Sequence, residues 1–164
     1  MRIPFRPRAL ALAVGVALAA SLACSALIPE PRPSSPPSPC AQEVYGACVV
    51  YDKGVERIPA ARLESMFRAA AVHWNTEPGA IAGYTVVVKG RDPYDLGGNL
   101  IWGVTLLDVR RLDFAVPAPP CPELVFVHEW GHAGAGVLGH EDPRFEDAAI
   151  RANLAAMEVP GCRA

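Results

Sequence analysis

Three of the chain's four histidines fall in one short window, "VFVHEWGHAGAGVLGHEDPRF", Val125 to Phe145. His128 and His132 are four residues apart, and residues at that spacing share one face of a helix. Both imidazoles can therefore point at one metal ion. Glu129 lies one position round, off that face but within reach of a water in front of the ion. His-Glu-x-x-His on a helix is a zinc-hydrolase pattern for this geometric reason. Catalytic zinc takes three protein ligands and one water, and brings that water's pKa to about 7. Glu129 is then the expected catalytic residue, a general base that passes the water's proton to the leaving amine. Two histidines and a glutamate would be a costly way to fill a core. For the third metal ligand His140 ranks first, because the glycines before it let the chain fold back on the ion. Glu146 is the alternative.

The segment "HEWGH" resembles the zincin metallopeptidases, and "HEWGHAGAGVLGHEDP" is similar to their matrixin-like metzincin branch. In that branch the active-site helix ends at a glycine and leads into a Leu-Gly-His segment, here "LGHEDP". The family's third histidine comes six residues after the second, whereas His140 comes eight after His132, so the glycine loop carries a two-residue insertion. The resemblance covers the C-terminal third of the chain. It implies a mixed sheet, peptide bound along a sheet edge, and a methionine beneath the metal, for which Met157 is the candidate. The alternative zincin branch draws its third ligand from a glutamate on the next helix, the part Glu146 would play.

The elements that must position these groups are legible in outline. "VYGACVVY", Val44 to Tyr51, is rich in β-formers and reads as a strand. "PAARLESMFRAAAVHW", Pro59 to Trp74, is an amphipathic helix with Leu63, Met66, Phe67, Ala70 and Trp74 on one face. His73, near its end, reads as a surface residue rather than a ligand. "YTVVVKG", Tyr84 to Gly90, is a second strand, followed by a turn-rich connection. "LIWGVTLLDVRRLDFAVP" reads as one or two strands. Gly103 to Val109 is the candidate substrate edge there, and Arg110 and Arg111 would suit an exposed edge. A helix opens at Pro122 and Glu123, runs through the histidine pair and fades at Gly134 and Gly136. A last helix is expected from about Pro143 to Glu158, capped by Asp142. The fold class is α+β: a small mixed sheet, one packing helix, an active-site helix and a C-terminal helix. A tyrosine such as Tyr94 is the candidate oxyanion stabiliser.

The ends and the cysteines address the compartment. "MRIPFRPR" followed by the apolar run Ala9 to Ala23 reads as a secretory signal peptide over residues 1–23. "SLAC" resembles the lipobox of bacterial lipoproteins, which makes Cys24 the lipidation site. Residues 24–39 form a Pro-rich spacer, and residues 40–164 the metallopeptidase domain. Removing the signal takes away three arginines and no acid, so the formal charge goes from −2 to −5. With no basic stripe, nucleic acid is not an expected partner. Four cysteines remain for two disulfides, and Cys40–Cys48 with Cys121–Cys162 is the favoured pairing of the three possible. The expectation is a monomeric, exported, lipid-anchored peptidase that uses Zn2+ on peptide or protein substrates, in the outer membrane if the host is Gram-negative. A non-catalytic zinc-binding envelope lipoprotein is the alternative.

Overall fold

The computed structural model describes residues 39–160, save 92, 97, 119 and 120, together with residue 162. The expected signal peptide, the expected lipidation site Cys24 and nearly all of the expected spacer lie outside the described residues.

The first expected strand is two. Tyr45 and Gly46 both take positive φ, 47° and 80°, the geometry of a two-residue hairpin turn. Strand β1 (Gln42–Val44) therefore folds back on β2 (Ala47–Tyr51). Helix α1 (Ala60–Trp74) follows and ends where Asn75 turns left-handed. Strand β3 (Thr85–Lys89) then pairs parallel with β2, so β2, α1 and β3 form a crossover unit.

The next stretch departs from expectation. Tyr94–Leu96 (β4), where only turns were expected, pairs with Asn99–Ile101 (β5), the beginning of the expected strand segment, in a small separate hairpin. The long segment after it divides into β6 (Gly103–Leu106) and β7 (Arg111–Ala115), joined by a turn with Arg110 at φ 48°. The main sheet has the order β1-β2-β3-β7-β6. It is mixed, since β3 and β7 run parallel while β6 runs antiparallel to β7. The two edges are thus β1 and β6. Arg111 does not mark an edge: it begins the interior strand β7, and its guanidinium pairs with the fully buried Asp113 at 2.6 and 2.8 Å.

Helix α2 (Pro122–Ala133) starts and stops as its proline and glycines require. It and α1 cover one face of the sheet. The predicted face of α1 is buried, with Leu63, Met66, Phe67, Ala70 and Trp74 at 2% exposure or less. Phe67 meets Phe126 and Trp130 of α2, and Phe126 meets Phe114 of β7. Gly131 allows α2 to cross α1 closely, because a β-carbon there would lie 2.3 Å from the Trp74 ring. The Trp74 indole N–H donates to the Val127 carbonyl at 2.7 Å across the same contact. At the start of α2 the buried Glu123 carboxylate accepts from Arg62 Nε of α1 at 2.7 Å.

The last helix is also shorter than expected. Asp142 caps a single 3₁₀ turn, Pro143–Phe145, by accepting from the Arg144 N–H at 2.9 Å. Glu146 is extended, and α3 (Asp147–Ala156) begins after it. This break turns Phe145 inward. The disulfides are Cys40–Cys48 and Cys121–Cys162, closing 8 and 41 residues of separation. No helix among the described residues is long and apolar enough to cross a membrane.

Candidate metal centre

Helix α2 buries Leu124, Val125, Phe126, Val127 and Trp130, which leaves His128 and His132 half-buried at its surface. Their rings lie one turn apart, 5.6 Å between centroids. The chain then reverses through Gly136, which takes φ 69°. Val137 fixes this return twice over. Its N–H donates to the Gly131 carbonyl at 3.0 Å, and its carbonyl stands 2.6 Å from His132 Nδ1. A carbonyl only accepts, so Nδ1 carries the proton and Nε2 keeps its lone pair for the cluster. The loop delivers His140 to both partners, with its Nε2 3.1 Å from that of His128 and 3.2 Å from that of His132.

These spacings test whether a metal fits. For an ion such as zinc, bonds of ~2.0–2.1 Å at tetrahedral angles put neighbouring nitrogens roughly 3.3 Å apart. The observed separations match that edge, and the three donor atoms lie within 4.8 Å of one another. His128, His132 and His140 therefore form a group able to hold a metal ion. Glu146, exposed at the junction before α3, is outside it. His73 is outside as well: its Nε2 meets the Arg144 carbonyl at 2.8 Å. A second cluster, Cys121, Glu123 and Cys162, has its sulfurs joined and its carboxylate taken by Arg62.

Phe145 is the floor of the site. Its buried ring lies 4.8, 4.8 and 5.0 Å from the rings of His128, His132 and His140. Met157 does not have this place, being partly exposed at the end of α3. Phe145 was legible in the sequence only as a helix-face residue, and no local pattern marks the break that turns it inward.

Glu129 is seated by the edge strand. Only 7% of it is exposed. Thr105 Oγ1 stands 2.9 Å from Glu129 Oε2, to which it can donate. Two residues earlier on the same face, Gly103 leaves room for the carboxylate, since a β-carbon would lie 2.7 Å from both Cγ and Oε1. Burial pushes the Glu129 carboxyl up to about 7; the Thr105 hydrogen bond opposes this and the Asp113 charge adds to it. Burial, then repulsion from His132 and His140, lowers His128 to about 4, against the pull of Asp147. A neutral imidazole is the form that binds a metal.

An open hollow of about 410 Å³ lies in front of these groups, bordered by Thr105 and Leu107 on the β6 side and by Leu138 on the loop side. Searches against family models, curated proteins and solved structures find no match to this chain. Gly103 to Leu106, within the candidate substrate edge, does form the edge strand beside the histidines. Tyr94 does not border the hollow; the charged groups that act on it are Asp113 and Arg111. Thr105, Gly103 and Phe145 were missed as contributors. The glycine and threonine two apart within a β-rich run were the available signal for the seat.

Proposed function

We propose that this chain is an exported, membrane-anchored zinc peptidase that hydrolyses peptide bonds in peptide or protein substrates. One observation carries the reading: three imidazole nitrogens converge at metal-ligand spacing beside a buried carboxylate seated by an edge strand. His128, His132 and His140 would hold the ion through Nε2, a donor set that suits zinc. Bound zinc supplies Lewis-acid polarisation of the scissile carbonyl and a water of lowered pKa.

Glu129 takes a proton from the attacking water and gives it to the amine nitrogen as the C–N bond breaks. Thr105 engages Oε2, while Oε1 has no hydrogen-bond partner among the described residues and is left to move the proton. Phe145 keeps water from the underside of the site. The edge strand β6 offers backbone groups to an extended peptide, which would add to the sheet as one more strand.

The purified mature domain should hold about one zinc per chain. His140→Ala should lose it, and Glu146→Ala should keep it. Glu129→Gln should retain zinc and lower peptide hydrolysis by about 100-fold or more. Equal hydrolysis by wild type and Glu129→Gln would exclude the peptidase. A zinc-loaded wild type that cleaves nothing in a broad peptide screen would instead mark a non-catalytic zinc-binding lipoprotein.

A further inference from the structure

We propose that one end of the cleft is a subsite for a basic side chain, lysine or arginine, on the substrate, with Asp147 as its charged partner. The proposal rests on the peptidase reading above and adds a polarity to the cleft. A second hollow of about 310 Å³ lies past His128, with Trp102, Leu124 and Val125 along its walls and Asp147 on its border. That volume is at the low end of ligand pockets, roughly 300–1,000 Å³, and is ample for one side chain. Both hollows border on Ile101, Gly103, His128 and Glu129, so they adjoin at the start of β6 beside the metal group. A peptide lying on that edge would have residues in both.

The two ends differ in chemistry. The far end is bordered by Leu107 and Leu138, both exposed, and has no carboxylate beyond the shared Glu129. The near end adds Asp147, and no lysine or arginine among the described residues borders either hollow. Asp147 is exposed at the first turn of α3 and has no ion-pair partner among the described residues, although Arg151 follows one turn later. A lysine or arginine side chain suits this arrangement. Its methylene stem covers apolar wall while its charged head reaches a carboxylate at the rim. An acidic side chain there would meet the Asp147 carboxylate and be repelled by it.

The test uses zinc-loaded protein and three peptides that differ at one position, lysine, norleucine or glutamate, scanned across each side of the scissile bond. At one position wild type should favour lysine over norleucine by tenfold or more in kcat/KM. Asp147→Arg should reverse the order there and favour glutamate over lysine, with zinc content unchanged. Equal cleavage of lysine and norleucine peptides at every position would overturn the subsite and leave the peptidase standing. An unchanged order in Asp147→Arg would do the same, as would an Asp147 variant whose sole defect is lost zinc. A zinc-bound wild type that cleaves none of the peptides would overturn the peptidase and the subsite together.

Discussion

Thr105 and Glu129 meet across the gap between an edge strand and a helix, and that contact decides where the carboxylate points. The hydroxyl has one proton, and its two acceptors are both on Glu129, Oε2 at 2.9 Å and the backbone carbonyl at 3.1 Å. A hydrogen bond to a charged group is worth about 1.5–3 kcal/mol. Thr105→Val should therefore lower kcat about tenfold or more with KM and zinc content unchanged, and Thr105→Ser should restore most of it. Steady-state kinetics with metal analysis checks this; an unaltered kcat in the valine variant would sink it. His128 supplies a second prediction. A ligand nitrogen must be unprotonated, and His128 is held down to about 4. Protons compete with the metal for all three imidazoles, so metal should be lost as pH falls into the acidic range, with His128 resisting protonation longer than an ordinary histidine. Dialysis at stepped pH followed by metal analysis reads this directly, and full retention at pH 3 would contradict it. At this scale, the sequence was legible where chemistry is local. Spacing alone put His128, Glu129 and His132 on one helix. The choice of His140 over Glu146 needed the loop's actual path.

Helix α2 is where burial and chemistry are joined. One side packs on α1 and the sheet, the other presents the histidines, and Gly131 sits at the crossing. Gly131→Ala would drive a methyl group into the Trp74 ring and strain the bond from its indole to the Val127 carbonyl. Overpacking of this kind costs about 1–3 kcal/mol, so the variant should unfold at lower urea. An unchanged midpoint would mean the helices separate without cost. The break between the 3₁₀ turn and α3 matters as much. A continuous helix from Pro143 would satisfy local propensity, but the structure breaks it at Glu146 and puts Phe145 beneath three histidine rings. Burial of an aromatic ring outweighs the lost helical turn, because it removes more apolar surface from water than one turn of helix stabilises.

The described domain is a small sheet with its helices tied by covalent and ionic links. Cys121–Cys162 joins the start of α2 to the segment after α3, near the buried Glu123 and its half-exposed partner Arg62. Such links suit an exported domain of modest core. The proposed lipid tether belongs to this scale too. Wild type should begin at an acylated Cys24, and Cys24→Ala should lose the acyl mass and keep residues 1–23. Intact mass checks both, and a mature wild type with no acyl mass would refute the tether.

By itself the sequence determined what depends on near neighbours in the chain: the amphipathic face of α1, the limits of α2, the placing of His128, Glu129 and His132 on one helix, and the cysteine content of a disulfide-tied domain. These follow from helical period, from proline and glycine at helix ends, and from composition. Tertiary structure alone decided that β6 is an edge, that Gly103 and Thr105 seat Glu129, that Phe145 forms the floor and that His140 closes the group. Each of those depends on residues distant in sequence competing for one space. Register, close packing and the return of a loop settle that competition, and none of them is written in any short stretch of the chain.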